Sequence, residues 1–306
     1  MGKGAPTAVK YFVVDAFANS PTKGNPAVVC FLEEERDREW LQAIAQEFNL
    51  LTCYLTTLDG TKTTMDHPTF GLRWFAPATE VKICGHGTIA CAHVLFSKGI
   101  VKGNKVEFLT QSGAFVAEKI SRLKQLRDFD NENTGLDMDI KRDNFLVQLH
   151  FPLWHPTKLN PSELELVPKS VQGSSMVNVM KMARENDLIV ELSSSKVVAE
   201  FQPSMEEIEG WPGRSMAITG IAPPESGFDF FTRLFSPNYG IAEDQVCASI
   251  HCVLAPYWSK KLGKSNLRAY MASPRGGVLE FQVEEDKHKV LIAGKAVTVM
   301  EGSLFA

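Results

Sequence analysis

Two cysteines stand where the chain passes from a loop into an apolar stretch with the length of a helix. Cys84 opens Cys84-Gly-His-Gly-Thr-Ile-Ala-Cys-Ala-His-Val-Leu-Phe96, and Cys247 opens Cys247-Ala-Ser-Ile-His-Cys-Val-Leu-Ala-Pro-Tyr-Trp258. The first turn of a helix leaves backbone N–H groups unpaired and carries roughly +0.5 charge. A thiolate is stabilised there, so each of these thiols is expected below the free value of ~8.5. The same helix start suits a carboxylate. With two such thiols flanking one bound acid, one thiolate can remove an α-proton while the other thiol donates one to the opposite face. The helix starts then stabilise the enolate-like charge that develops. Racemisation or epimerisation of this kind needs no cofactor. Either cysteine alone also reads as an ordinary core thiol, because free Cys is among the most buried residue types. Their equivalent positions are what single out the pair.

Three neighbours add to the chemistry. His86 can orient a substrate or relay a proton, or can simply bond a backbone carbonyl at the helix start. Asp244 can cap the second helix, hold a substrate amine or act as a base. Ser249 is a donor to a carboxylate or a plain first-turn residue. No metal is expected. The pairs Cys84/His86 and Cys91/His93 lie about 10 Å apart along one helix, too far to share a zinc ion. Cys247 and His251 have no second pair of ligand spacing near them. Arg275-Gly276-Gly277 reads as a turn, and no phosphate loop, dinucleotide fingerprint or Gly-x-Ser-x-Gly motif is present.

The elements that must hold these residues are mostly strands. Strand patterns cover 10–17, 27–32, 53–57, 71–75, 106–109 and 115–120, then 145–150, 188–192, 216–221, 228–235 and 290–299. Asp37 opens a helix to about Phe48, with Trp40, Leu41, Ile44, Ala45 and Phe48 on one face. Two helices, from near Gly85 and near Ala248, are apolar almost all round and should be buried. Pro256 should bend or end the second. An approximate repeat surrounds them. Arg73-Trp-Phe-Ala-Pro77 matches Arg233-Leu-Phe-Ser-Pro237, and each is followed by a loop, a cysteine and an apolar helix. Arginine to cysteine is 11 residues in one copy and 14 in the other. The expected fold is α+β, with two like domains, each strand-rich around a buried helix. They cover residues 1–122 and 123–306, and the C-terminal strand can return to the first. The polar stretch 121–144 reads as a long hairpin loop or linker.

Composition sets the frame. At ~150 residues per domain, 306 residues suggest about two domains. A net charge of −4 argues against a nucleic-acid partner, which would favour a basic face. No apolar run approaches the ~18–20 residues of a membrane span, and the N-terminus lacks a signal-peptide core. Six cysteines without framework spacing suggest reduced thiols and a cytoplasmic location.

The sequence resembles the phenazine-biosynthesis-protein-like family, whose fold is that of diaminopimelate epimerase. The motifs that carry the likeness include Val14-Asp-Ala-Phe17, Gly24-Asn-Pro-Ala27, Ile44-Ala-Gln-Glu-Phe-Asn-Leu50, Arg73-Trp-Phe-Ala-Pro77 and Cys84-Gly-His-Gly-Thr88. It continues through Phe228-Asp-Phe-Phe231, Asp244-Gln-Val246, Arg275-Gly-Gly277 and Val299-Met-Glu-Gly-Ser303. The resemblance implies two pseudo-symmetric domains, each a small β-barrel around a central helix, with the active site between them. It also implies a homodimer and cofactor-free isomerisation of a small carboxylic or amino acid. Cys84, Cys247, His86 and Asp244 become the catalytic candidates; Gly85, Gly87, Ser249, Asn25 and Thr52 become the substrate-binding ones. Two departures stand out. The family's catalytic Glu position holds Thr52, which cannot transfer a carboxylate's proton. After Asp244, where the family reads Pro-Val-Thr-Gly-Ser, this chain reads Gln-Val-Cys247-Ala-Ser249. Cys247 thus takes the place of the second catalytic cysteine of the related epimerases, and Cys84 matches their first. The gained thiol favours an isomerase; the lost Glu favours a protein that binds a metabolite or partner without catalysis.

Overall fold

Alternating and continuous apolar runs of five to eight residues become strands throughout a computed structural model that describes residues 8–58, 68–121 and 145–305. The fold is mixed α and β and dominated by sheet. Its described residues form two compact units: 8–22, Pro26–His150 and the C-terminal residues from Ala293, then Lys23–Asn25 with Phe151–Ile292. No helix among the described residues is long and apolar enough to cross a membrane.

The first unit holds β1 (Val9–Ala16), β2 (Asn25–Leu32), α1 (Arg38–Phe48), β3 (Leu51–Thr57), β4 (Thr69–Phe75), β5 (Glu80–Val81), α2 (Gly85–Ser97), β6 (Lys105–Thr110), β7 (Gly113–Ser121) and β8 (Phe145–Pro152). Parallel β2 and β3 are joined by α1, as a parallel pair requires a crossover. Asp37 caps α1 by accepting from the Trp40 N–H at 2.7 Å, and Asn49 ends it in the left-handed region. Leu41, Ile44 and Ala45 are buried against Val28, Tyr54 and Phe75. Antiparallel to β3 runs β4, which pairs with β5 on a short return and with β6 in parallel. Between β5 and β6 the chain passes through α2, whose residues from Gly87 to Phe96 are all buried.

β7 and β8 pair antiparallel, with Ser121 opposite Phe145. That ladder belongs to the first compact unit, which runs through His150. The segment 122–144 lies outside the described residues. The C-terminal strand Ala296–Leu304 pairs with β1 from Val9–Leu304 to Ala16–Ala296, within the first unit. The single strand expected over 290–299 is two strands. They break at Lys295, whose carbonyl accepts from the Ala18 N–H at 3.1 Å.

The second unit holds α3 (Pro161–Leu164), α4 (Lys169–Gln172), β9 (Met176–Met182), β10 (Asp187–Leu192), α5 (Ser195–Glu200), α6 (Met205–Glu209), β11 (Met216–Ile221), β12 (Phe230–Ser236), β13 (Ile241–Asp244), α7 (His251–Leu262), β14 (Asn266–Met271), β15 (Gly277–Glu284) and β16 (Lys289–Gly294). Its pairings follow the same order. β10 and β11 are parallel across α5 and α6, and β12 runs antiparallel to β11. β12 then pairs antiparallel with β13 and in parallel with β14. α7 lies between β13 and β14 in the chain, as α2 does between β5 and β6. It continues through Pro256 and does not end there. Proline leaves the carbonyl four residues back without its helical donor; here that carbonyl, of Cys252, accepts from the Trp154 N–H at 3.0 Å.

Gly87 shows how closely α2 lies on the strands. A Cβ there would stand 2.7 Å from Leu51 Cδ2, 2.8 Å from Cys53 Sγ and 3.1 Å from Trp74 Cδ1. Gly87→Ala should therefore destabilise the protein by about 1–3 kcal/mol through overpacking, read as a lower urea midpoint with unchanged slope.

Candidate functional site

In the first unit Cys84 is the residue before α2, extended at φ −148° and ψ 108°. Its carbonyl accepts from the Thr88 N–H at 3.1 Å and from the Thr88 hydroxyl at 2.7 Å, which fixes the turn that presents the sulfur. Cys84 Sγ is 3.4 Å from His86 Nδ1. Gly85, His86 and Gly87 form the first turn, and Gly87 is spent on packing against β3 and β4. Thr52 is fully buried on β3, and its hydroxyl donates to the Leu50 carbonyl at 3.2 Å. Strand alternation places it on the face opposite Leu51 and Cys53, the residues that meet Gly87.

In the second unit α7 begins at His251, not near Ala248. Residues 248–250 form a tighter turn closed by three-residue bonds, His251 N–H to Ala248 and Cys252 N–H to Ser249. Cys247 lies ahead of that turn. Its sulfur is 3.3 Å from Ser249 Oγ, and its carbonyl accepts from His251 Nδ1–H at 2.7 Å. Asp244 ends β13 and does not cap the helix. Its carboxylate accepts from the Asn25 amide at 2.8 Å. Asn25 also donates to the Val246 carbonyl at 3.0 Å, so both amide hydrogens hold the loop that carries Cys247. Asn25 is held in turn by Arg275, whose guanidinium donates to the carbonyls of Gly24 at 2.8 Å and Lys23 at 3.1 Å. The turn at Arg275-Gly276-Gly277 thus works as a clasp on the Asn25 segment.

The two loops share a detailed pattern. Arg73 pairs bidentately with Glu80 on β5, and Arg233 pairs bidentately with Glu243 on β13. Each guanidinium also lies over the phenylalanine two residues on, Phe75 at 5.1 Å and Phe235 at 5.0 Å. Four residues separate each glutamate from its cysteine. The three additional residues of the second copy therefore fall between Arg233 and Glu243, where the chain makes a short turn at Pro237–Tyr239. Beyond each cysteine the residue at i+2 meets the sulfur, and a side chain at i+4 donates to the cysteine carbonyl. His86 and Thr88 do this in one copy, Ser249 and His251 in the other.

Electrostatics separate Cys247 from the core thiols. Burial pushes Cys30, Cys53 and Cys252 far up. Burial, reinforced by the Asp244 charge, also raises Cys247, but only to about 11. Arg214, the Ser249 hydroxyl and the Ile250 N–H work against that rise. The sequence-based expectation of a lowered thiol is thus reversed here, because desolvation outweighs the helix start. Asp244 is raised by burial as well, against Val246, Cys247, Arg214 and Asn25. His86 and His251 are held down at about 4 by burial and are neutral at pH 7. Arg214 is absent from the sequence-based reading, His251 enters it only as a metal-ligand spacing with Cys247, and Arg275 only as part of a turn. Only the i+4 spacing of His251 from Cys247, matching Thr88 from Cys84, signals one of them in the sequence.

Two strand-rich units, each leading a cysteine into a buried helix, define a mixed α/β protein with paired thiol loops. The chain belongs to the phenazine biosynthesis-like protein family, whose model matches residues 14–302. It is 33% identical over 299 residues to an uncharacterized isomerase of Halalkalibacterium halodurans, covering 96% of this chain and 97% of that one. A crystal structure of a phenazine biosynthesis family protein from Enterococcus faecalis superposes with a TM-score of 0.79 at 30% identity, covering 98% of this chain and 100% of that one. A hydroxyproline epimerase from Agrobacterium vitis shares the fold at a TM-score of 0.55 and 9% identity, over 97% and 92% of the two chains.

The His251 environment makes stability pH-dependent with a definite sign. Above about 6.5 the imidazole is neutral in both states; as pH falls towards about 4, the unfolded chain takes a proton that native His251 refuses. Stability present above 6.5 is therefore lost on acidification, by up to about 3 kcal/mol from this group. Urea unfolding at pH 7.5 and pH 4.5 should show a smaller loss in His251→Thr, which supplies the hydroxyl found at Thr88.

Proposed function

We propose that the protein is a cofactor-independent isomerase that racemises or epimerises a small amino or hydroxy acid by moving its α-proton between two thiols, Cys84 and Cys247. The observation that carries this reading is the matched setting of the two cysteines: a polar side chain on the sulfur at i+2, and a side-chain donor on the carbonyl at i+4. In the forward direction Cys84 is the base. His86 is a neutral imidazole at pH 7 with Nδ1 3.4 Å from the sulfur; as the Nδ1–H tautomer it donates to the Cys84 thiolate, whose own proton has left to solvent before the substrate binds. Cys247 is the acid, because a thiol raised to about 11 is protonated and able to donate at neutral pH. As the thiolate forms, Ser249 and the Ile250 N–H receive its charge, and Asp244 holds the loop in place. The α-carbanion is the hard intermediate, and backbone N–H groups at the starts of the two turns supply its electrostatic stabilisation.

On this reading the units are two like domains, each a small barrel around its central helix, and the chain works as a homodimer. The recurring strand pairings and the paired Arg–Glu forks support the likeness of the two units, and the isomerase name of a similar protein supports the reaction class. Thr52 leaves the glutamate's place without a proton-transfer group, so the second thiol carries the acid/base role.

Proton NMR in D₂O with a panel of amino and 2-hydroxy acids tests the proposal. The expected result is loss of the α-proton signal of at least one acid, slowed about 10²–10⁴-fold in both Cys84→Ser and Cys247→Ser. Exchange that survives in either variant, or a panel with no exchange at all, contradicts it.

A further inference from the structure

Arg214 is the cation nearest in character to a ligand site in the second unit, and its geometry is unusually fixed. It precedes β11. Its Nε donates to Asp187 Oδ1 at 3.1 Å and its Nη2 to Asp187 Oδ2 at 2.5 Å. Asp187 opens β10, is fully buried, and also accepts from the Ser215 hydroxyl at 2.7 Å. Ser215 in turn accepts at its carbonyl from the Leu188 N–H, and the Arg214 N–H donates to the Glu185 carbonyl. Gly213 lets this loop press on the neighbouring turn: a Cβ there would stand 1.8 Å from the Asn186 carbonyl oxygen. One edge of the guanidinium is therefore locked.

The other edge is not used. Among the described residues Nη1 donates to none, and the side chain keeps 23% of its surface open. Arg214 is also within electrostatic reach of both Asp244 and Cys247. A guanidinium held on one edge by a carboxylate, with the donors of its other edge unspent and part of its surface open, is suited to a second carboxylate. Arg233, by contrast, spends both edges: its Nε and Nη2 take Glu243, and its Nη1 takes the Phe201 carbonyl at 2.6 Å.

We propose that Arg214 binds a carboxylate of the substrate beside Cys247, the free Nη1 edge supplying the contact while Asp187 and Ser215 hold the guanidinium in place. The substrate class is thereby an acid whose carboxylate is ionised at neutral pH. This rests on the isomerase reading for what happens to the bound acid, but binding itself does not require turnover.

The test uses two alkylating probes of similar size, iodoacetate, an anion, and iodoacetamide, which is neutral. Their rates at Cys247 and at Cys84 are measured in the full-length protein at about pH 9.5 by peptide mass spectrometry, where a thiol raised to about 11 is about 3% ionised. Taking the ratio of the two rates removes any general change in accessibility or thiol ionisation. In Arg214→Gln the iodoacetate-to-iodoacetamide ratio at Cys247 should fall roughly tenfold relative to the native protein. The ratio at Cys84 should stay unchanged. Arg214→Gln strands the buried Asp187 carboxylate, so Arg214→Gln combined with Asp187→Asn gives the same reading with a neutral pair in its place. An unchanged ratio at Cys247 in either variant overturns the proposal, as does an equal fall at both cysteines. A fallen ratio without α-proton exchange on any acid leaves Arg214 as an anion site and removes the isomerase reading instead.

Discussion

Desolvation of a thiol at the entrance to a buried helix is the constraint on which the rest of the site depends. In α2 the residues from Gly87 to Phe96 are buried, while Gly85 and His86 of the first turn are half-buried beside the buried Cys84. A cysteine there gains donors from the turn and loses water. The balance differs from thiol to thiol. At Cys30, Cys53 and Cys252 burial wins outright. At Cys247 the Ile250 N–H, Ser249 and Arg214 recover part of the loss, which keeps its ionisation within reach of chemistry. On the proposed isomerase reading, a thiol protonated at rest acts first as an acid, which is the direction taken for Cys247.

Everything around the two cysteines serves to hold short loops at strand-to-helix transitions. The Arg–Glu forks fix the return strands β5 and β13, four residues before each sulfur. The i+4 donors, Thr88 and His251, fix the cysteine carbonyls after it. In the second unit a further layer is added: Arg275 holds Lys23 and Gly24, and Asn25 holds Asp244 and Val246. The extra clasp goes with the longer turn ahead of α7, which has fewer α-helical bonds of its own at that point.

Much of this was legible in the sequence where local rules decide. The apolar face of α1, its Asp37 cap and most strands follow from periodicity, and the Arg-x-Phe-x-Pro repeat located both thiol loops. Sequence reading misplaced what depends on distant partners. The start of α7 moved because a three-residue turn intervenes, and Pro256 stayed inside the helix because Trp154 takes the freed carbonyl. The thiol shift had the wrong sign at Cys247 because burial cannot be read from helix position alone. Arg214 was invisible because three strands separate it in sequence from Cys247, while Asp187 and the loop geometry bring its charge there. Asn25 was found, but its partners were not: both of its amide hydrogens are spent on the Asp244 loop.

The central claim is that two monoprotic thiols, and not a single base, move the proton. Deuterium accounting tests this most directly. Each enantiomer of an active acid is supplied separately in D₂O, and label is measured early in both substrate and product by mass spectrometry. Two thiols predict product that carries deuterium while the remaining substrate still carries protium, from either starting enantiomer. Substrate that gains deuterium as fast as product, or product that retains the original protium, would contradict a two-thiol site.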